Sequence, residues 1–498
     1  MNGEDRLELE EGGVEIDVET VKSRALLGVA SLVSRSFVVQ AVAFASNFLL
    51  TIFLDPSVFG VFFLVSASIN IFRYFSDVGL AAALIQKKEK VTETDLRTTF
   101  TVQQLLVGIL TILIFILAPV LSRVYGFDKP DLYLLYALAI SFFLTSLKTI
   151  PSILLERSLK FNLLIIPQLL EIVVYNLVAV LLAWRGFGVN SFTFAVLAQA
   201  IVGLVAIYIV SPWRIGYSFS RDSFKHLLKF GIPYQANTFI AAAKDDLMTI
   251  VLGRIVGTTG LGYLGWAKKW AEQPLRILMD NVSKVAFPAF SRLQEDKERL
   301  KKSLEKSLFF LCFLTFPTLM GFSILASDLV LLIPRYLKWQ PALVPLYFYC
   351  FNSAMATVSS SMTNLLNAIG KIKTTFKLMI MWLVLTWLLM PIAAMRYNYI
   401  GVAVAAAIIS LSSIVAVVVA KKYVNFDLLS TVIKPFFCTL IMGVVVSLFK
   451  FNFLSLLPSI ILRMLLGAFV YIIVSRLITG VTMLDDIKRV YYEIRKKT

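Results

Sequence analysis

Lys268, Glu272, Arg276 and Asp280 recur every fourth position, alternating in sign, inside an otherwise apolar stretch. On a helix that spacing forms one polar stripe of i,i+4 partners. Lys269 lies beside it, and Pro274 within it predicts a kink. A second apolar stretch carries the triplet Lys244-Asp245-Asp246. Adjacent helical residues point about 100° apart, so the three charges cannot all face one partner helix and a wide polar environment is expected. Arg35 occupies an earlier apolar stretch, and Arg73 and Asp77, four residues apart, occupy the next. An ionisable group inside a bilayer is costly unless it faces protein or water, so its position is a functional signal by default. With Arg254 the set holds seven basic and five acidic residues. The positive excess suits a polar cavity for an anionic passenger, with Arg and Lys on its phosphates and the acids binding a cation or orienting lysines. The blander reading is that the stripe and the Arg73/Asp77 pair only join helices.

These residues must be positioned by membrane helices. Hydrophobic residues make up 58% of the 498-residue chain, with 39 Phe and a mean hydropathy of +0.80, too little polar surface for a soluble fold. Apolar runs of spanning length lie near 26–53, 59–83, 98–121, 131–150, 163–183, 190–211, 230–255, 260–285, 307–327, 340–366, 374–395, 399–420, 434–450 and 458–478. The expected fold is therefore an all-α polytopic membrane protein of about fourteen spans. Basic clusters such as Lys87-Lys88, Arg157 with Lys160, the Arg292–Lys306 run and Lys421-Lys422 fall on alternate connections. The positive-inside rule makes that side cytoplasmic in a cell membrane and, with an even span count, puts both termini there. Turns such as Asp55-Pro56-Ser57 and Gly257-Thr258-Thr259-Gly260 are short, nearly uncharged and on the opposite side.

Between those two turns a weak repeat emerges. Leu54 to Val61 and Val256 to Tyr263 each end one span and begin the next, and a shift of 202 superimposes Phe59-Gly60 on Leu261-Gly262. Two six-span lobes follow, 25–211 and 230–420, joined by a cytosolic linker at 212–229. Two accessory spans occupy 421–478, between an acidic cytosolic tail at 1–24 and a basic tail at 479–498. Paired similar halves can rock around a central site.

Several classes are excluded. The net charge of +17 is mostly topology signal facing anionic headgroups, not a nucleic-acid surface. Residues 1–24 lack the basic start and small-residue cleavage site of a signal peptide. Cys312, Cys350 and Cys438 sit singly in apolar spans, which leaves neither a disulfide framework nor a metal site. His226, the single histidine, falls in a basic cytosolic connection and suits a solvated surface role. The amides Gln103, Gln104, Gln168, Asn176, Gln199, Asn352, Asn364 and Asn367 are expected to join helices. Glu171 reads as an isolated acid in span five, a secondary candidate for ion coupling.

The runs FLDPSVFGVFFLV (Phe53 to Val65), FSDVGLAAALIQKKEKVTETDL (Phe75 to Leu96), LLKFGIPYQ (Leu227 to Gln235) and AFPAFSRLQEDKERL (Ala286 to Leu300) resemble polysaccharide transporters of the O-antigen and teuchuronic-acid exporter type. These belong to the multidrug/oligosaccharidyl-lipid/polysaccharide exporter superfamily. The resemblance implies a flippase for an oligosaccharide on a polyprenyl pyrophosphate, with the first two helices of each lobe lining the cavity. By that analogy Arg35, Arg73, Lys244, Lys268, Lys269 and Arg276 meet pyrophosphate or acidic sugars. No Walker motif or cofactor signature is present, so an ion gradient (H+ or Na+) or the membrane potential is the expected energy source. Asp77, Asp245, Asp246 and Glu272 are the acids to test for coupling. Membrane lipids and glycan-assembly enzymes are the further partners implied. Two alternatives stay open: a multidrug or organic-cation exporter, which the positive excess disfavours, and a membrane-embedded glycosyltransferase or polymerase, which the short outer loops disfavour.

Overall fold

The structure is a computed structural model that describes residues 40, 42–76, 79–87, 89, 91–225, 227–229, 243–449 and 455–480. Arg35, Asp77, His226 and residues 1–24 and 481–498 lie outside that set.

The described residues form helices and no strands, as an apolar chain must where backbone groups cannot bond to water. The first half comprises α1 (Val42–Phe53), α2 (Pro56–Arg73), α3 (Leu80–Gln86), α4 (Glu93–Tyr125), α5 (Lys129–Ser146), α6 (Thr149–Arg157), α7 (Phe161–Trp184) and α8 (Asn190–Val210). A π-helical turn, Ala243–Leu247, opens the second half. It leads into α9 (Met248–Arg292), α10 (Lys297–Leu332), a 3-10 segment (Pro334–Ala342), α11 (Leu343–Ala368), α12 (Ile372–Leu411) and α13 (Ser413–Lys421). The last hairpin is α14 (Lys434–Leu448) with α15 (Leu456–Thr479).

Nine helices among the described residues are long and apolar enough to cross a membrane, or ten if α5 and α6, bent by 43°, count as one span. Two of the nine are each a pair of spans. The first breaks at Gly257, whose φ of 69° and ψ of 175° suit a residue without Cβ. The second breaks at Tyr397 and Asn398, where Asn398 has φ 53° and its side-chain oxygen accepts from the Tyr399 backbone N–H at 2.7 Å. Adding the short described part of α1 and the Ser/Thr/Asn-bearing α11, the element order accommodates the fourteen-span plan. The protein is an all-α polytopic membrane protein. Pro274 does not interrupt α9, whose departure from helical dihedrals is at Gly257.

The two halves meet chiefly where α2 lies along α9, and the packing is closest at the turns that start them. A Cβ added to Gly60 would fall 1.7 Å from the carbonyl oxygen of Thr258, and one added to Gly262 would fall 1.8 Å from that of Pro56. The contact is reciprocal under the 202-residue shift, which takes Pro56 to Thr258 and Gly60 to Gly262. Small residues permit such backbone approach between membrane helices, where packing and not water exclusion drives association. Around it Trp339, wholly buried, stacks on Trp266 at 5.4 Å and meets Phe59 edge-on at 5.4 Å. Trp339 Nε1 donates to the Thr51 carbonyl at 2.7 Å, and Thr51 shares a hydrogen bond with Tyr336 at 2.8 Å. Lys338 closes the rim, 3.4 Å from Asp55. The turn end of the molecule is thereby sealed.

At the opposite end, the segment leaving α8 is stitched to the start of α4. Thr98 and Thr101 accept from the backbone N–H groups of Ser220 and Ser218, at 3.1 and 3.0 Å. Asp95 closes a capping box with Thr92, takes a 2.7 Å bond from Lys87 and a 2.6 Å bond from the Ser223 hydroxyl. Arg157 of α6 donates to the carbonyls of Leu84, Ile85 and Lys87 at the end of α3, a C-terminal cap supplied from another helix. Burial alone would raise the Asp95 pKa, but the bonds from Lys87, Ser223 and Thr92 hold it well below the usual carboxylate range. A depressed folded pKa contributes stability that is present above the unfolded value and lost only as pH falls through the folded one, so this junction is expected to be constant from pH 5 to 8. Asp95→Asn is expected to loosen it by about 2 kcal/mol. Limited proteolysis should then cut within residues 212–225 faster than in the wild type, with the helices α4 to α8 protected.

Candidate functional site

The π-turn positions the charged triplet. A π-turn widens the helix by a residue and is common at functional sites. Here Lys244, Asp245 and Asp246 take three environments. Lys244 Nζ and Lys268 Nζ each stand 3.9 Å from Asp245 Oδ1, so Asp245 links the π-turn to α9. Asp246 turns toward α2, accepting from Asn70 Nδ2 at 3.4 Å and from the Tyr74 hydroxyl. Arg73, at the end of α2, is exposed and within electrostatic reach of Asp246.

Along α9 the i,i+4 spacing works for three members. Lys268 Nζ is 3.8 Å from Glu272 Oε1, and Arg276 Nη2 donates to Glu272 Oε2 at 2.9 Å. Asp280 is exposed and makes no ion pair among the described residues, so the expected four-member ladder stops at Arg276. Pairs with exposed partners such as Lys268 and Arg276 contribute little to stability, so the stripe suits a hydrated cavity better than a glue between helices. Lys269, next to Lys268 but rotated from it, reaches α1 and donates to Asn47 Oδ1 at 2.7 Å.

The structure therefore brings together eight of the ten sequence-predicted residues: Arg73, Lys244, Asp245, Asp246, Lys268, Lys269, Glu272 and Arg276. Arg35 and Asp77 lie outside the described residues. Five cations face three carboxylates in this group. Each carboxylate is engaged, yet Arg73 and Lys269 have no carboxylate within 4.0 Å among the described residues. No group of three or more His, Cys, Asp or Glu suited to a metal ion occurs among them.

Sequence reasoning missed the neutral partners Asn47, Asn70 and Tyr74, which look like ordinary residues of apolar spans until α1, α2 and α9 are packed. It also read Glu171 as isolated. Glu171 instead accepts from Lys148 at 2.6 Å; the partner sits on the preceding span, where no spacing rule reveals it. A second hidden pair joins Arg463 of α15 to Asp328 of α10. Several amides behave as expected: Gln103 bonds to Thr149, Gln104 to Ser146, Asn352 to the Ala406 carbonyl and Asn364 to Ser283. All three cysteines are free and buried.

Comparison with known proteins agrees with this architecture. The lipopolysaccharide biosynthesis protein WzxC of Escherichia coli K12 is 26% identical over 335 residues, 65% of this chain and 66% of that protein. The succinoglycan biosynthesis transport protein ExoT of Rhizobium meliloti is 23% identical, over 83% of this chain and 84% of its own length. Among solved structures, the lipid II flippase MurJ in an inward closed conformation superimposes with a TM-score of 0.70 at 19% identity, over 89% of this chain and 98% of that one. A multidrug resistance MATE transporter, inward-facing, gives 0.59 at 15% identity, over 76% and 94%. The sequence profile of the polysaccharide biosynthesis proteins matches residues 49–344, more than half of the chain, and the chain belongs to that family.

Proposed function

We propose that this protein is a flippase that carries a lipid-linked saccharide precursor, borne on a polyprenyl pyrophosphate, across the cytoplasmic membrane by alternating access. The observation that carries the reading is the positive excess in the central site, five cations against three carboxylates, with no carboxylate within 4.0 Å of Arg73 or Lys269 among the described residues. Cations in that state suit phosphate oxygens, which Arg binds with a fork of donors and Lys as a point charge. The names of the relatives, a lipopolysaccharide biosynthesis protein, a succinoglycan transport protein and a lipid II flippase, support the same cargo class. No covalent step is required, so the protein acts as a transporter and not an enzyme.

In this mechanism the lobes at 25–211 and 230–420 rock about the site. Basic connections and both termini lie in the cytoplasm, the Gly60/Gly262 seal closes the outer side, and the cargo loads from the inner leaflet. Binding energy that differs between the two states shifts their populations. Asp246 is held by the neutral donors Asn70 and Tyr74 and is the acid best placed to take a coupling H+ or Na+. Glycan-assembly enzymes supply the cargo on the cytosolic face.

The test is accumulation of lipid-linked glycan on the inner leaflet after deletion, measured by extraction and mass spectrometry, with clearance on complementation. If no such species accumulates and sensitivity to cationic drugs rises, a cation-exporter function replaces this one. In the complemented strain, Arg73→Ala, Lys244→Ala and Lys269→Ala are each expected to lower export at least about tenfold, the loss of one charge-assisted phosphate contact of roughly 1.5–3 kcal/mol. Membrane insertion should be unchanged, as judged by the amount of protein in the membrane fraction. Full export by all three variants would return these charges to a structural role.

A further inference from the structure

Between the first-half helices and α9 lies a cavity of about 270 Å³ that shares only Lys269 with the charged site. Its wall is aromatic: Phe62 stacks on Phe192 with centroids 4.4 Å apart at 29°, and Tyr175 faces the same space. Its polar groups are amides, the Tyr175 hydroxyl and one ammonium. Asn176 donates to its own helix at Ile172 O, 2.7 Å away, and keeps its side-chain oxygen free to accept. Gln199 and the Tyr175 hydroxyl have no hydrogen-bond partner among the described residues. Lys269 closes the rim, spending one of its three protons on Asn47 at 2.7 Å.

We propose that this cavity is the subsite for a single pyranose ring, the sugar bonded directly to the pyrophosphate. The inference rests on the lipid-pyrophosphate reading above and adds to it which part of the cargo the first-half helices hold. The faces of Phe and Tyr rings are electron-rich and attract the polarised C–H groups on one face of a sugar. Around the ring edge each hydroxyl both donates and accepts, which matches Asn176, Gln199, the Tyr175 hydroxyl and the remaining Lys269 protons. A prenyl chain would satisfy the rings but leave these polar groups unpaired, which apolar burial penalises. The volume lies near the lower end of ligand cavities, about 300–1,000 Å³, so it takes one ring and not an oligosaccharide. Its place fits the same portion of the cargo. Lys269 stands at the cavity rim, so a phosphate bound by its ammonium puts the attached sugar at the cavity mouth.

The experiment uses the full chain in nanodiscs of phosphatidylethanolamine and phosphatidylglycerol, with binding followed by tryptophan fluorescence. The probes are a short polyprenyl pyrophosphate without sugar and the same lipid carrying glucose, galactose or N-acetylglucosamine. The wild type is expected to bind at least one sugar-bearing probe about tenfold more tightly than the bare one, a preference of roughly 1.4 kcal/mol. Phe62→Leu and Gln199→Ala should each erase that preference and keep the affinity for the bare lipid, while Lys269→Ala weakens all probes. Equal binding of all probes by the wild type overturns the subsite and leaves the lipid-pyrophosphate reading standing. Equal weakening of bare and sugar-bearing probes by Phe62→Leu and Gln199→Ala makes the cavity a prenyl-chain site and also overturns the proposal. Binding of no probe overturns both readings.

Discussion

Alanine at Gly60 or Gly262 is expected to abolish transport while leaving the protein folded and inserted. The added methyl group would lie 1.7 Å from the Thr258 oxygen or 1.8 Å from the Pro56 oxygen, and both obstacles are backbone, so neither can rotate away. Overpacking of this kind costs about 3 kcal/mol or more. It is incurred only in the state in which the two turns touch. A penalty confined to one state lowers that state's population about 100-fold and so stalls an alternating-access cycle with the seal open. The measurement is labelling of a cysteine placed at Ala43, on the cavity side of the seal, by a membrane-impermeant maleimide added from outside the cell. The native cysteines Cys312, Cys350 and Cys438 are buried and give little background. Labelling should be low in the wild-type background and high with Gly60→Ala or Gly262→Ala. Gly108→Ala, which meets nothing within 4 Å, is the matched control and should leave labelling and transport unchanged. Unaltered labelling in both seal variants would show that the contact is not needed for closure.

The glycine contact also marks how far the sequence could be read. The 202-residue shift paired Gly60 with Gly262 by position alone, but one matched pair of glycines is too little to announce that the turns touch. What made the spans legible was length and hydropathy, because the bilayer imposes both on every helix regardless of its partners. What made the site legible was cost: a charge in an apolar run must be answered by protein or water, so Arg73, Lys244 to Asp246 and Lys268 to Arg276 stood out before any packing was known. Distance in sequence hid the rest. Lys269 meets Asn47 across 222 residues and Asp246 meets Asn70 across 176, and neither amide differs on paper from those that only join helices. The sign pattern on α9 misled at its last step, since Asp280 satisfies the spacing but makes no ion pair among the described residues. A helical stripe predicts neighbours on one face and says nothing about where that face leaves the protein.

The accessory hairpin gives the largest expected effect on stability, and again the cause is a charge whose partner is far away in sequence. Arg463 is 5% exposed on α15, donates from Nε to the Val446 carbonyl of α14 at 3.3 Å and is ion-paired with Asp328 of α10. Beyond one bond from the Tyr471 hydroxyl to the Phe313 carbonyl of α10 at 2.8 Å, the hairpin meets α10 through apolar side chains, among them Met442 and Tyr471 beside Phe313 and Met320, and in lipid such contacts compete with acyl chains of the same polarity. The ion pair and the Tyr471 bond therefore fix where the hairpin docks. Arg463 is buried and Asp328 half-buried, so removing the arginine alone leaves the carboxylate unpaired among apolar helices, at about 3 kcal/mol. Arg463→Met is thus expected to lower the thermal unfolding midpoint and to make α14 and α15 accessible to protease while the helices α9 to α12 stay protected. Arg463→Met with Asp328→Leu should recover most of the midpoint, because the stranded carboxylate is gone. A double variant no more stable than the single one would mean that the guanidinium's bond to Val446, and not its charge, holds the hairpin in place.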